Sequence, residues 1–325
     1  MTSAAKMATT GARAGRGPAG AWGALLVLLL AVAAPGRTFA GAIDVADDTG
    51  AAVRLTAPAQ RIVSLAPHAT ELLFAAGAGA RVVGVIGSSD WPPEARALPV
   101  VGDSRALDLE RIVALAPDLI VTWPYTSSVQ LAALRARGIP IFKAEPKTID
   151  GIAADIERLG VLAGTEAEAA PRGAAFRARL AQIRARNAGK QSIRVFYQIW
   201  NVPLYTVGGR HLITEAIGVC GGANVFAGLA TAAPAVTVEA VLAAAPDAIV
   251  AGADGGARPA WLDEWRRWPA LPAAAQGHLF VVNADLLHRA GPRFLDGLDE
   301  LCAVLDAGRR EHVLDPPIRP VARVR

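Results

Sequence analysis

The stretch ERIVALAPDLIV (residues 110–121) returns as EAVLAAAPDAIV (residues 239–250), at a constant offset of 129 residues. Glu110 falls on Glu239, Ala114 on Ala243, Ala116 on Ala245, Pro117 on Pro246, Asp118 on Asp247, Ile120 on Ile249 and Val121 on Val250. Each copy reads as a short helix led by a glutamate, stopped before a proline, that runs into a β-branched strand. A chain of 325 residues has room for two domains of ordinary size. The repeat therefore predicts two similar lobes, each holding one copy of the unit.

The flanking segments extend both lobes in the same manner. In the first, RIVSL (61–65) is a strand, Thr70 and Glu71 start an amphipathic helix that stops at Gly77 and Gly79, and RVVGV (81–85) is the next strand. After the quoted helix come the strand DLIVTW, a helix over 129–138 and the strand IPIFKAE. In the second, IRVFYQI (193–199) is a strand, HLITEAIGVCGG is a Thr-Glu helix stopped by glycines, HLFVVN (278–283) is a strand, and 295–307 is a last amphipathic helix. Strands and helices alternating at short spacing predict an α/β fold of parallel βα units. Between the halves, TEAEAAPRGAAFRARLAQIRARNAGK (165–190) carries acids at its start and bases at its end, the arrangement that suits one long helix and its dipole. Pro171 and Gly173 can interrupt its first turns. The expected plan is an N-terminal lobe over 41–150, a linking helix within 151–190, a C-terminal lobe over 191–312 and a patternless tail over 313–325.

The first forty residues read as an export signal. Lys6, Arg13 and Arg16 precede the apolar run AWGALLVLLLAVAA (21–34), and TFA (38–40) follows with small residues in the −3 and −1 places. The run is short for a membrane span of about 20 residues. The alternative is an uncleaved anchor helix, and the expectation is cleavage after Ala40 and release to the periplasm. With Arg37, these residues hold four bases and no acid, so the formal charge of +4 belongs to them and the rest is neutral. No basic stripe with interleaved aromatics occurs, which argues against a nucleic-acid partner. In an oxidising compartment the two cysteines, Cys220 and Cys302, tend to pair, and two buried free thiols are the alternative.

RIVSLAPHATELLFAAGAGARVVGV, SDWPPEA, LERIVALAPDLIVTW, GGRHLITEAIGVCGGANVF and LLHRAGPR, in this order, resemble the periplasmic binding proteins of ABC importers with a rigid helical backbone. The resemblance spans about residues 61–305 and leans towards the cobalamin (vitamin B12) binders. It implies a monomer without resident cofactor or enzymatic activity, which takes its ligand between the lobes and hands it to membrane permease subunits. It also implies that Glu110 and Glu239 present one exposed charge per lobe to arginines of the permease. Matched charges of this kind steer approach and fix register. The competing reading is two first-turn glutamates that serve only their helix dipoles. Asp118 and Asp247, each after a proline, read as loop or cap residues.

Ligands of open α/β sheets bind beyond the C-terminal ends of the strands. Candidates there are Pro67, His68, Trp91, Trp123 and Tyr125 in the first lobe, and Trp200, Tyr205, Asp285, His288 and Arg289 in the second. The resemblance implies that Asp285 and Arg289 contact the amide side chains of a corrin. It also exposes two departures, because cleft tryptophans of the cobalamin binder fall on Ser104 and near Ala233 here. Core packing is the alternative for each aromatic. Tyr197 lies within a strand and reads as structural, and Trp261, Trp265 and Trp268 form a helical packing stripe. Haem or a ferric siderophore is the rival ligand, with Tyr125, His68 and His288 as the groups to approach its iron. The five histidines sit in unlike contexts, so no bare-metal site is expected. An exported hydrolase is the reading from another class, and no G-x-S-x-G elbow supports it.

Overall fold

Alternation within each strand decides how the two sheets are covered. The computed structural model describes residues 42–103 and 105–314, with side chains to residue 310. The expected signal segment 1–40, Ser104 and tail residues 315–325 lie outside the described residues. A hairpin of β1 (Ile43–Ala46) and β2 (Ala52–Leu55) precedes the first lobe. There β3 (Ile62–Ser64), α1 (Pro67–Ala75), β4 (Val82–Val85), α2 (Leu109–Ala114), β5 (Leu119–Thr122), α3 (Ser128–Arg135) and β6 (Ile141–Lys143) follow in turn. Its sheet is parallel throughout, in the order β4-β3-β5-β6. Ile62, Leu119, Val121 and Phe142 face one core, and Val63, Ile120 and Ile141 face another under α2 and α3.

The second lobe repeats this plan. It holds β7 (Ile193–Asn201), β8 (Leu204–Thr206), α6 (Leu212–Val219), β9 (Gly222–Asn224), α7 (Val238–Ala244), β10 (Ala248–Ala253), α8 (Pro272–Ala275), β11 (Leu279–Asn283), α9 (Ala284–Leu287) and α10 (Phe294–Leu314), after α4 and α5 described below. The sheet order is β11-β10-β7-β8, with β9 parallel to the start of β7 and β8 antiparallel to its end. Val195, Tyr197, Ala248 and Val250 face one way, and Phe196, Ile249 and Ala251 face Trp265 and Leu262 on the other side. Trp265 is buried in a 3₁₀ segment (Ala260–Arg267), and its Nε1 donates to Gln198 Oε1 at 2.8 Å. The tryptophan stripe and Tyr197 are packing groups, as expected.

The repeat is conserved in its turns as well as its letters. Ala116 and Ala245 both take positive φ (45° and 41°), and the aspartate after each Pro accepts backbone N–H groups from the neighbouring strand start. Asp118 receives Gln60 and Arg61, and Asp247 receives Arg194. Glu110 and Glu239 are both exposed in the first turn of helices capped by Asp108 and Thr237.

The linking segment 151–190 holds the long helix expected over 165–190 as α5 (Glu166–Asn187), and its first part belongs to a further helix, α4 (Ile149–Ala163), that packs against α5. The break is Gly164 in the left-handed conformation, the usual C-terminal stop. Pro171 lies inside α5 without ending it. The 22 residues of α5 run from the first lobe, where Thr165 Oγ1 donates to Ala76 O, to the second, where Arg179 and Arg186 pair with Asp296 and Asp299 of α10. The inner faces of both sheets and helices α1, α4, α5, α6 and α10 share one continuous apolar core. Cys220 and Cys302 form a disulfide between α6 and α10, with Cα atoms 4.8 Å apart.

Candidate ligand-binding site

The C-terminal ends of both sheets open onto a cleft of about 590 Å³, within the usual range for small-molecule sites. From the first lobe, Trp123 and Tyr125 stand on the turn after β5, which a 2.6 Å contact between the Thr122 and Thr126 hydroxyls braces. Trp123 meets Tyr125 edge to face at 5.1 Å, and His68 at 5.8 Å. His68 is the second residue of α1, after the half-buried Pro67. Its Nε2 lies 3.1 Å from Ala144 O. A carbonyl only accepts, so Nε2 carries the proton and Nδ1 is left with its lone pair. Burial lowers the pKa of His68 and favours the neutral ring.

The facing wall comes from the second lobe. His288 lies 3.0 Å from the Tyr197 hydroxyl, and Gly252 makes the space for this pair. A Cβ on Gly252 would fall 2.5 Å from His288 Nε2 and 2.6 Å from the tyrosine oxygen. His211 caps α6 by accepting the Ile213 N–H on Nδ1 at 3.1 Å. Burial, then the nearby His288, pushes its pKa down to about 4. Burial lowers His288 too, and raises the Tyr197 phenol far above its ordinary value. All three cleft imidazoles are thus held neutral near pH 7. Arg210, beside His211, also lines the cleft, as do Glu145 and Lys147, which pair with each other across the rim.

Of the residues named from sequence, His68, Trp123, Tyr125 and His288 line this one cleft. Trp91, Asp285 and Arg289 are not brought to the cleft wall. His288 and Ala290 line it, while Arg289 between them is taken up by carboxylates. It reaches Asp285 at 2.8 Å, Asp90 at 2.5 Å and Glu71 at 3.5 Å. Arg293 grips Glu71 with two hydrogen bonds of 2.6 and 3.0 Å and lies over the Trp91 ring at 4.7 Å. This cluster joins α1 and the 90–91 loop of one lobe to the segment after α9 in the other. The Glu71 side chain is 1% exposed, and burial pushes its carboxyl pKa up against the pull of the two arginines. Trp200 is also absent from the wall. It is 55% exposed on the β7–β8 hairpin, where its Nε1 donates to Val202 O. Tyr205, on the same hairpin, is 37% exposed and likewise off the wall. The loop of Ala233 does border the cleft, through Ala230 and Ala232.

Arg210, His211, Glu145 and Lys147 were not singled out by sequence. His211 was within reach, since it stands after Gly208-Gly209 and before an apolar helix, the position of an N-cap. Among the described residues no group of three or more His, Cys, Asp or Glu side chains could hold a metal ion, and no helix is long and apolar enough to cross a membrane.

The family described as "Periplasmic binding protein" matches residues 62–286. The chain is 37% identical over 256 residues to the vitamin B12-binding protein of Vibrio cholerae serotype O1, covering 78% of this chain and 92% of that protein. The crystal structure of the periplasmic vitamin B12 binding protein of Vibrio cholerae superposes with a TM-score of 0.70 at 36% identity, over 78% of this chain and 99% of that one. The apo form of a periplasmic haem-binding protein of Roseiflexus sp. RS-1 gives a TM-score of 0.67 at 27% identity, over 77% of this chain and 98% of that one.

Proposed function

We infer the function from one premise: the chain belongs to the periplasmic binding protein family. It captures cobalamin in the cleft between its lobes and delivers it to the permease of an ABC importer. The observation that carries this reading is the match to the Vibrio cholerae vitamin B12-binding protein across nearly all of that protein's length. The chemistry of the cleft supports it. Trp123 and Tyr125 offer aromatic faces to a large flat ligand, and three neutral imidazoles offer hydrogen-bonding groups to its amide periphery. The protein works in the periplasm, and the proposed cleavage after Ala40 releases it there. Binding and release require no chemical step. Glu110 and Glu239, exposed and equivalent in the two lobes, are the proposed contacts to the permease.

Haem is the second reading, favoured by the Tyr125 ring, 68% exposed at the cleft and free to present its hydroxyl to a ferric iron. One experiment separates the two. Cyanocobalamin, hemin and a ferric siderophore are titrated separately into the purified protein and followed by visible absorption, with calorimetry for stoichiometry. Tight one-to-one binding of cyanocobalamin alone is expected. A Soret shift with hemin and no response to cyanocobalamin overturns the cobalamin reading and turns attention to Tyr125, His68 and His288.

A further inference from the structure

We propose that Arg210, with Lys147 on the facing lobe, forms an anion subsite that holds the phosphodiester of the cobalamin nucleotide loop. This rests on the cobalamin reading and adds a specificity-determining residue to it. Charge in the cleft wall is scarce. Lys147 is already paired with Glu145. Arg210 is exposed, lines the cleft, and makes no ion pair or hydrogen bond with any described residue. Most other arginines near the lobe junction, such as Arg179, Arg184, Arg289 and Arg293, are matched to carboxylates.

The support beneath Arg210 is stiff. Gly208 N donates to Ala232 O at 2.8 Å, and Gly209 N to Leu229 O at 3.0 Å. A Cβ on Gly208 would come within 2.0 Å of Thr231 O, so the strand end is pressed against the 227–232 loop. Immediately after Arg210, His211 caps α6, whose positive end adds to the local potential. A free guanidinium is therefore held on a rigid base at a cleft whose other charged side chains, Glu145 and Lys147, are paired with each other. Cobalamin has a periphery of neutral amides and a single phosphodiester in its nucleotide loop. A guanidinium can meet two phosphate oxygens at once, whereas Lys147 contributes a point charge.

The test compares two corrinoids. Cyanocobalamin has the nucleotide loop, and dicyanocobinamide lacks it together with its phosphodiester. Kd values for both are measured by absorption titration with wild type and Arg210→Gln. The substitution is expected to weaken cyanocobalamin about tenfold, the scale of a lost hydrogen bond to a charged group, and to leave dicyanocobinamide unchanged. Lys147→Gln shifts cyanocobalamin by a smaller factor, because Glu145 already offsets its charge. Equal weakening of both corrinoids by Arg210→Gln, or of neither, overturns the subsite and leaves the cobalamin reading standing. Failure of the wild-type protein to bind either corrinoid overturns both.

Discussion

Asp155 and Asp48 share a single guanidinium, that of Arg158, behind the loop that forms one rim of the cleft. The Asp155 side chain is fully buried, its Oδ2 has no hydrogen-bond partner, and desolvation, then the charge of Asp48, raises its pKa to about 8. One cation neutralises one carboxylate, so the second keeps its proton. In the unfolded chain an aspartate titrates near 3.9. The folded state thus holds a proton that the unfolded state lacks between about pH 4 and 8. Its contribution to stability is full below that window and is lost as pH rises through 8. Asp155→Asn mimics the protonated acid. Urea unfolding is expected to show the variant gaining on wild type from pH 5 to pH 8; a constant difference would mean that Asp155 is ionised throughout. Glu71 is a second buried carboxylate, but its two arginine partners face it from the other lobe. Glu71→Gln leaves them undercompensated and is expected to cost about 3 kcal/mol in denaturant unfolding. Such pairs were the least legible feature of the sequence. Glu71 and Arg293 are 222 residues apart, and no local pattern announces the bond. Arg289 was therefore read as a ligand contact. Trp123 and His68 were legible because strand ends in an α/β sheet mark the cleft without any knowledge of partners.

At the scale of elements, periodicity makes the strands and helices readable, and the acids after Thr165 mark the start of the long helix where α5 begins. Gly164 stops α4 immediately before it, so the chain turns back between the two helices. The antiparallel return it produces depends on small residues at the crossing. A Cβ on Gly160 of α4 would fall 2.3 Å from the Ala169 Cβ of α5. The disulfide was legible from compartment and count alone, and it staples α6 to α10 within one lobe. It closes a loop of 82 residues, for which chain entropy gives about 4.5 kcal/mol. The double variant Cys220→Ala, Cys302→Ala is expected to lose about that much in chemical unfolding. Neither cysteine lines the cleft. The Kd of the double variant for cyanocobalamin at 25 °C is therefore expected to match wild type, and a large change would show that the bridge shapes the site.

The two lobes meet through more than one helix. Glu215 of α6 accepts the Ile149 N–H at the start of α4 and pairs with Arg184 of α5, and the Arg289 cluster ties α1 to the segment after α9. A continuous core beneath both sheets opposes wide opening and leaves rocking by small angles as the expected motion. That stiffness bears on docking. If Glu110 and Glu239 each engage a permease subunit, a rigid body holds them at a fixed separation, and the second contact forms at high effective concentration once the first is made. Loss of either charge should then weaken docking, and loss of both should remove most of the steering and register. Neither residue lines the cleft, and both are exposed at helix starts, so the fold should tolerate alanine. Cells carrying the double variant Glu110→Ala, Glu239→Ala in place of wild type are expected to take up radiolabelled cobalamin at a small fraction of the normal rate. The purified variant should bind cyanocobalamin with unchanged Kd, and each single variant should fall between. Normal uptake by the double variant would reduce the repeated glutamates to helix-dipole residues. A collapse of ligand binding would make them part of the framework, because a docking contact acts only after the ligand is held.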